Sequence, residues 1–400
     1  MYISRIRLEN IRGFRELEID LSGEDGAPRR RTVIIGKNGT CKTTVLRAVA
    51  LGLCDFGDAN ALISEPIGSM IYGDSKVGQI RIELDSGGKQ RLYNFLVRNR
   101  KTRQERVSRV SELDWPKAFA CGYGAGRHGF GSDTGRDYRV ADAVYTLFDY
   151  RRTLIDPELT LRRLQDFLGT QKYDAAIAGI RRILGLSPED EIRLPHGGGV
   201  ELSGPSFGDT VRLEGWADGY RMTFNWMMDL YGRALRADRI TSEGHIRGIV
   251  LIDEIEQHLH PSMQTEILPR ITEVFPEIQL IATTHSPLVA LDARPEELVV
   301  LRRKGKEVVR EEDVPDYTGY SAEDMLVDER LFDTEVYSPE MREKVGRYRE
   351  LAALPKATRG GAETRELRSL ALEIRERPAP EARESEMVRQ LKQLIDKHNL

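Results

Sequence analysis

Three segments of the chain alternate apolar and polar residues. They are "MYISRIRLENIRGFRELEIDL" (residues 1–21), "QIRIELDSGGKQRLYNFLVRN" (79–99) and "EELVVLRRKGKEVVRE" (296–311). Alternation with a period of two is typical of strands with one buried face, and a short turn between two such runs gives a hairpin. We therefore predict paired strands in the first segment and a hairpin in each of the others, with the turn of the second segment at Ser86-Gly87-Gly88.

Other segments are apolar throughout. The strands "GIVLIDEI" (248–255) and "IQLIATTHS" (278–286) fit the centre of a parallel sheet that is covered on both faces. A further strand, "TVIIG" (32–36), is followed by the helix "TTVLRAVALGL" (43–53). The helix "GYRMTFNWMMDLYGRAL" (219–235) is apolar on most sides, so we expect it to be buried. Residues from about 135 to 190, and the charged chain after about Pro315, also have helical patterns.

Composition and charge exclude only a few classes of protein. The 400 residues are 40% hydrophobic and 31% charged, and the net charge of −4 gives no overall attraction to nucleic acid. No apolar run is long enough to span a bilayer, and the N-terminus lacks the features of a secretion signal. Cys41, Cys54 and Cys121 have no metal-ligand spacing. We therefore expect a cytoplasmic protein.

The strongest basic run is "VRNRKTRQERVSRV" (97–110), in which Lys and Arg outnumber the single acid, Glu105. Its cations could follow a phosphate backbone. They could equally form the solvated end of a hairpin. The sequence leaves both interpretations open.

The turn after the strand at 32–36 is close to the phosphate-binding pattern G-x-x-x-x-G-K-[ST]. It comprises Gly36, Lys37, Asn38, Gly39, Thr40, Cys41, Lys42, Thr43 and Thr44. Successive backbone N–H groups and the following helix N-terminus can hold phosphate oxygens, with Lys42 on the β- and γ-phosphates and Thr43 on Mg²⁺. Cys41 replaces the second glycine and loses its freedom of backbone conformation, although its N–H group remains.

Two apolar strands end in candidate catalytic residues. Asp253 and Glu254 follow the strand at 248–252, where Asp253 can hold Mg²⁺ and Glu254 can orient or deprotonate a water molecule. His285 ends the strand at 278–284 and is a candidate sensor of the γ-phosphate. Each has an ordinary alternative, because acids often close a strand in a solvated turn and a single histidine is often structural.

A fourth motif is Asp218-Gly219-Tyr220, where a glycine turn opens the buried helix. The helix N-terminus could bind an anion, or Asp218 could simply cap the helix. Between the first motif and this one, "AFACGYGAGR" (118–127) contains Tyr123 and Arg127 but no glutamine.

These four motifs, in this order, resemble the ATPase heads of the ABC type. The opening strands and "EIEQHLHP" (254–261) resemble the RecF/SMC class within that group, and the resemblance covers roughly residues 1–300. It implies an α/β P-loop NTPase fold of ABC-ATPase head type, a mixed sheet with flanking helices, with a helical insertion and a helical C-terminal region. It also implies ATP and Mg²⁺ as ligands.

The resemblance suggests domain boundaries. We predict a head lobe with the phosphate loop at 1–134, a helical insertion at 135–195, a second lobe with the other three motifs at 196–312, and a helical region for partner or oligomer contacts at 313–400. The insertion lacks sustained heptads and is too short for the long coiled coil of SMC proteins.

In this class, two heads sandwich two ATP molecules, so Gly219 acts on nucleotide bound to a neighbouring subunit. Ala217 stands where the family has a serine that contacts phosphate, and its absence favours slow hydrolysis. The family's metal-binding glutamine is also missing, with Tyr123 or Arg127 as possible substitutes. His258 and His260 could bind zinc. A turn that leads to a helix start at Pro261, with His258 near the dimer seam, is the interpretation we favour.

The segment "LFDYRRTLIDPELTLRRLQDFL" (147–168) looks like the ATPase subunits of Septu and retron-associated anti-phage systems. This resemblance implies a slow ATPase that forms ATP-bridged dimers or higher oligomers and regulates a separate effector nuclease in antiviral defence. No nuclease motif is visible in the chain itself. The alternative is a RecF-like ATPase clamp that binds DNA in repair or recombination.

Overall fold

The computed structural model describes residues 1–65, 67–85, 89–109, 118–127, 129–131, 137–317, 319–334, 338–354 and 359–375. The chain forms two compact units, Met1–Asp333 and Thr334–Leu400. No helix among the described residues has the length and apolar character needed to cross a membrane.

Sixteen strands are present in the described part of the chain. They are β1 (Tyr2–Ile11), β2 (Phe14–Asp20), β3 (Arg31–Ile35), β4 (Val77–Asp85), β5 (Lys89–Arg98), β6 (Glu105–Arg109), β7 (Ala120–Tyr123), β8 (Phe130–Gly131), β9 (Leu154–Ile155), β10 (Glu191–Arg193), β11 (Glu201–Ser203), β12 (Val211–Arg212), β13 (Gly248–Ile252), β14 (Ile278–Thr284), β15 (Leu298–Lys304) and β16 (Glu307–Arg310).

The α-helices alternate with these strands. They are α1 (Lys42–Leu53), α2 (Phe56–Ile63), α3 (Val140–Val144), α4 (Pro157–Leu168), α5 (Thr170–Leu184), α6 (Asp218–Arg236), α7 (Pro261–Gln264), α8 (Ile267–Val274), α9 (Pro287–Ala290), α10 (Ala322–Val327), α11 (Pro339–Ala353) and α12 (Gly361–Arg375).

A six-stranded mixed sheet, in the order β16-β15-β3-β14-β13-β7, forms the centre of the first unit. Five neighbouring strands of this sheet are parallel, namely β15, β3, β14, β13 and β7. Strand β16 pairs antiparallel with β15 at one edge. All residues of β13 and β14 are buried, as their apolar sequences predict, because helices or a second sheet cover both faces. This is the fold class predicted from the sequence.

The second sheet is antiparallel, with five strands in the order β2-β1-β4-β5-β6. Helix α1 lies between the two sheets, and its apolar residues pack in one core with Ile34 of β3, Ile281 of β14, and Ile80 and Ile82 of β4. The predicted strand pairs at 1–21 and 79–99 are confirmed. The predicted turn at residues 86–88 lies outside the described residues.

Helices cover the opposite face of the central sheet. Val33, Val250 and Leu280 on that face pack in a second core with Phe224 and the other apolar residues of α6. Thirteen of the 19 residues of α6 are buried, which explains its apolar sequence. Helices α4 and α5, in the segment with helical pattern, contact α6 and α8.

The second unit contains α11 and α12, which pack against each other. Arg347 of α11 bonds Glu366 of α12 at 2.8 Å, and Lys344 bonds Glu373 at 3.0 Å. Ion pairs of this exposed kind contribute little to stability, because water and salt screen them. The predicted domain boundaries, including the role of 313–400 in partner contacts, stay predictions.

Candidate active site

Three of the four motifs lie together at one edge of the central sheet. In the parallel register, Ile35 of β3 pairs with Thr284 of β14, and Ile252 of β13 pairs with Ala282. The carboxyl ends of these strands therefore meet at the same edge, where ligands bind in open α/β sheets. The turn at 36–41, the acids after β13 and His285 after β14 all start from this edge.

The turn after β3 has the backbone of a phosphate cradle. Gly36 has φ +152°, and a Cβ at this position would lie only 2.4 Å from the carbonyl oxygen of Leu301. Gly39 has φ +80°, a conformation that side chains other than glycine rarely adopt. Lys37, Asn38 and Gly39 are exposed, so their backbone groups are open to a ligand. The turn thus fits the phosphates of a nucleotide.

Cys41 occupies the N-cap position of α1 without a capping hydrogen bond from its side chain. Its backbone is in the left-handed conformation, with φ +63° and ψ +26°. This geometry gives the physical reason for a glycine in the usual motif, because an L-residue there loses about 1 kcal/mol or more. Its Sγ lies against the turn between β1 and β2, where a Cβ on Gly13 would be only 2.8 Å away. The chain keeps the glycine-like backbone and accommodates the thiol beside Gly13.

Lys42 points back into the turn. Its Nζ donates to the carbonyl oxygens of Gly36 at 2.7 Å and Lys37 at 3.3 Å, and lies 3.3 Å from Nδ1 of His285. The side chain is 5% exposed. Burial lowers the pKa of Lys42 to about 8, although the nearby carboxylate of Asp253 opposes this shift.

Thr43 and Asp253 form the candidate Mg²⁺ site. Thr43 Oγ1 donates to Oδ2 of Asp253 at 2.8 Å, and Thr283 Oγ1 donates to Oδ1 at 2.6 Å. These oxygens suit Mg²⁺, which takes one or two protein oxygens and completes its shell with water and phosphate. Among the described residues, no group of three or more His, Cys, Asp or Glu side chains is placed to hold a metal ion without such outside ligands.

Glu254, the next residue after Asp253, has an unusual backbone conformation. Its φ is +48°, and its N–H group donates to Thr283 Oγ1 at 2.9 Å. Within the described part of the chain, its carboxylate accepts no hydrogen bond and is therefore available to a water molecule. Burial raises its pKa, and the neighbouring carboxylates of Asp253 and Glu256 raise it further. Such a shift brings a carboxylate closer to the range of an effective general base.

His285 lies between Lys42 and an acid that the sequence interpretation missed. The backbone N–H of His285 donates to Oε1 of Glu256 at 2.6 Å. Burial lowers the pKa of the imidazole, and the ammonium group of Lys42 lowers it further. Glu256 and Thr283 could have been suspected from their positions in "DEIE" and "ATTHS", because each lies two residues from a predicted site residue, Glu254 and His285 respectively.

The two proposed substitutes for the missing glutamine have different positions. Tyr123 is fully buried, and its hydroxyl donates to Asp229 at 3.1 Å, away from the acidic turn. Arg127 is 2% exposed and donates to the backbone oxygens of Asp253 at 2.6 Å and Glu254 at 2.8 Å. Arg127 therefore fixes the backbone that carries both acids. The contacts of the Tyr123 side chain do not support a role as substitute for the missing glutamine.

The fourth motif opens α6, and two of its residues, Asp218 and Tyr220, contact neighbouring parts of the chain. Asp218 bonds Arg221 at 2.6 Å, and the ring of Tyr220 packs on Phe207 with centroids 6.4 Å apart. Asp218 is not the N-cap, because that position belongs to Ala217, which makes no side-chain cap. The alternative reading of Asp218 as a helix cap is therefore wrong.

Gly219 touches the turn that follows the acids. A Cβ on Gly219 would lie 2.5 Å from the carbonyl oxygen of His258, which has φ +63°. Helix α7 begins at Pro261, as predicted, and His260 is its N-cap, with Nδ1 2.9 Å from Ser262 Oγ. The two histidines thus belong to the turn that links the acids to α7.

Two family models match the chain, and a solved structure is similar to it. A family model described as "AAA domain, putative AbiEii toxin, Type IV TA system" matches residues 31–292, and one described as "AAA ATPase domain" matches residues 1–53. The SMC head domain from Thermotoga maritima is similar with a TM-score of 0.46 and 14% identity, over 79% of this chain and 99% of that one.

Two curated relatives are similar in sequence. The Septu protein PtuA of Bacillus mycoides (strain KBAB4) is 26% identical over 363 residues, which are 88% of this chain and 48% of PtuA. The "Retron Ec83 probable ATPase" of Escherichia coli is 64% identical over 42 residues, 10% of this chain and 8% of that protein. The chain thus spans about half the length of PtuA.

Proposed function

The chain belongs to the AAA domain family whose model matches residues 31–292, and from this premise we propose that it binds ATP with Mg²⁺ at residues 36–44 and hydrolyses it. The proposal rests on one observation. Lys42, Thr43 and His285 lie at the same edge of the central sheet as the two acids. A cytoplasmic location is part of this proposal.

Each residue has a role that follows from its position. Lys42 and the N–H groups of the turn would hold the phosphates, and Thr43 with Asp253 would hold the metal ion. When bound, Mg²⁺ neutralises charge on phosphate oxygens. Glu254, with its free carboxylate and raised pKa, would take a proton from the attacking water, and His285 would contact the γ-phosphate.

We propose that ATP joins two heads. Asp218 bonds Arg221 within its own chain, and Gly219 packs on the carbonyl oxygen of His258. Ala217 and Asp218 at the start of α6 are exposed, so the nucleotide of a second subunit can approach this helix N-terminus. Ala217 offers no hydroxyl at this position. Since a hydrogen bond to a charged group contributes about 1.5–3 kcal/mol, we expect turnover below the enzyme median of about 10 s⁻¹.

We further propose that the ATP-bridged assembly controls a separate effector nuclease in anti-phage defence. The support is that the relatives are named as a Septu protein and a retron ATPase. A RecF-like DNA clamp is the alternative. Tight, ATP-dependent binding of duplex or gapped DNA by the isolated protein would favour the clamp, and a nuclease encoded beside this protein would favour the regulator.

The decisive experiment measures molecular mass in solution with and without ATP·Mg²⁺, for wild type and Glu254→Gln. The substitution keeps the shape of the side chain and removes the base, so we expect ATP to be retained and the assembly to accumulate. Lys42→Ala is the control that should neither bind ATP nor assemble. If ATP binds but changes the molecular mass in solution of neither wild type nor Glu254→Gln, the proposal that ATP joins two heads fails.

A further inference from the structure

The outer face of the antiparallel sheet, turned away from α1, has two different halves. On β1 and β2 this face carries charged residues that pair across the strands. Arg5 bonds Asp20 at 2.9 Å, and Arg7 bonds Glu18 at 2.6 Å. This is the polar, internally neutralised surface expected of a sheet with one solvated face.

The half formed by β4, β5 and β6 departs from that pattern. Tyr93, Phe95 and Val97 of β5 lie on the outer face, because the residues between them are buried in the core. Val77 of β4 lies directly opposite Val97 and is 43% exposed. An aromatic and aliphatic stripe therefore interrupts the charged residues of this half, which also carries the ion pair of Glu83 with Arg91 at 3.2 Å. We call Tyr93, Phe95, Val97 and Val77 the β5 stripe.

Cations without carboxylate partners surround the β5 stripe. Arg81 lies opposite Tyr93, with its guanidinium 4.9 Å from the ring centroid, and its Nε is buried without a hydrogen-bond partner. Arg106 lies opposite Val97, and Lys101 is exposed in the turn between β5 and β6. Among the described residues, none of these three cations pairs with an acid.

This arrangement divides the basic run at 97–110 into two parts. Arg98 points inward and pairs with Glu105 at 2.9 Å, with both side chains 7% exposed, so it stabilises the hairpin. Arg100, Lys101 and Arg106 are exposed and border the β5 stripe. Only the second part of the run is available to a ligand.

We propose that the β5 stripe and its cations bind a single-stranded polynucleotide. Tyr93 and Phe95 are two residues apart on one strand, so their rings are about 6.6 Å apart along it. Nucleobases of an extended strand can stack on such rings while the backbone contacts arginine and lysine. A duplex would leave the rings without partners, because its bases are already stacked. The cations that border the rings have no carboxylate partners among the described residues, so they complement a polyanion rather than an uncharged protein surface.

This inference goes beyond the proposed ATPase. The β5 stripe lies on the face of the antiparallel sheet away from α1, whereas the nucleotide residues lie at the edge of the central sheet. Binding is therefore expected without ATP and in Lys42→Ala. Lys42→Ala also tests the two proposals separately, because polynucleotide binding can be measured in a protein that does not bind ATP.

The test measures fluorescence anisotropy of 20-nucleotide oligo(dT) and oligo(rU) and of a 20-base-pair DNA duplex. We expect one or both single strands to bind more tightly than the duplex. Tyr93→Thr and Phe95→Thr keep a good strand residue and should each weaken binding about tenfold, whereas Tyr93→Phe should retain it. Preference for dT or rU identifies the polynucleotide as DNA or RNA.

Charge variants complete the test. Lys101→Glu should weaken binding and reduce the salt dependence by about 0.7 per lost phosphate contact. Lys306→Glu, an exposed lysine in the turn between β15 and β16, is the matched control and should leave binding unchanged. The proposal is overturned if wild type binds no single strand at low salt or if both threonine variants bind like wild type. It is also overturned if those variants change only the mass of the protein in solution, since the stripe would then be a protein interface.

Discussion

Lys42 Nζ lies 3.3 Å from Nδ1 of His285, so the phosphate loop and the end of β14 are in direct contact. A protonated lysine can donate to a neutral imidazole at this distance. Burial lowers the pKa of both groups. The ammonium group of Lys42 lowers the pKa of His285 further, because like charges repel at short range. The contact therefore couples the protonation of Lys42 to that of His285.

The first prediction concerns the pH dependence of ATP binding. Free Lys42 has a pKa of about 8, and bound phosphates should raise it, since an opposite charge favours the ammonium form. Above pH 8, binding must therefore take up a proton, and affinity should fall as pH rises. Calorimetry at pH 9 in buffers of different ionisation enthalpy should give an uptake approaching one proton, and almost none at pH 7.

The same pKa shift affects stability in the opposite direction. Unfolded Lys42 keeps its proton up to its ordinary pKa near 10.5, while the folded protein loses it near 8. The unfolded state binds more protons between these values, so this group increases the free energy of unfolding as pH rises through that window. Lys42→Arg, which stays charged, should abolish both effects. Equal proton uptake at pH 7 and pH 9 in wild type would contradict the pKa argument.

The second prediction concerns Cys41. Replacement by glycine relieves the cost of the left-handed conformation, about 1 kcal/mol, but adds a similar entropy cost in the unfolded chain. We therefore expect stability to change by less than about 1 kcal/mol and nucleotide affinity to be kept or increased. Cys41→Val should weaken binding, because a branched side chain is disfavoured at positive φ and would crowd Gly13. Titration with a fluorescent ATP analogue and thermal unfolding compare the three proteins.

The proximity of the main residues of the candidate site was predictable from the sequence because they belong to local patterns. A strand, a glycine turn and a helix identified Lys42 and Thr43, and an apolar strand followed by acids identified Asp253. The parallel sheet then brings them together, since strands that read as apolar runs end at a common edge. Nothing beyond element order was needed for this part of the site.

The supporting residues were not predictable in the same way. Arg127, Thr283 and Glu256 act through hydrogen bonds to backbone groups or to residues far away in the sequence, such as Arg127 to Asp253 across 126 positions. Side-chain identity alone does not reveal such bonds. Tyr123 illustrates the opposite error, because its position beside a glycine turn suggested the site whereas its hydroxyl bonds the buried Asp229.

The third prediction concerns Arg127, which holds the acidic turn. Arg127→Met leaves the carbonyl oxygens of Asp253 and Glu254 without this donor, so we expect the free energy of unfolding to fall by about 2–4 kcal/mol. The guanidinium also lowers the pKa of Glu254, although burial is the larger influence and raises it. Its loss should raise that pKa and move the acidic limb of the pH–rate profile to higher pH.

The control for Arg127 is Arg182→Met, an exposed arginine that pairs with Glu273. Its substitution should change stability by less than about 0.5 kcal/mol and leave the pH–rate profile in place. Denaturant unfolding and ATP hydrolysis between pH 5 and 9 give both readouts. An Arg127→Met protein with an unchanged acidic limb would show that the guanidinium does not influence the carboxylate of Glu254.

The fourth prediction concerns Gly219 and the turn after the acids. A Cβ on Gly219 would lie 2.5 Å from the carbonyl oxygen of His258, a backbone atom that cannot move away cheaply. Alanine normally stabilises a helix relative to glycine by about 1 kcal/mol, so Gly219→Ala should stabilise the protein only if the close contact is absent. We expect it to lower stability and abolish ATP-dependent assembly while each subunit still binds ATP. Gly346→Ala in α11, where a Cβ meets nothing within 4 Å, is the matched control and should increase stability without affecting assembly. If Gly219→Ala assembles like wild type, the packing of α6 on His258 is not part of the head contact.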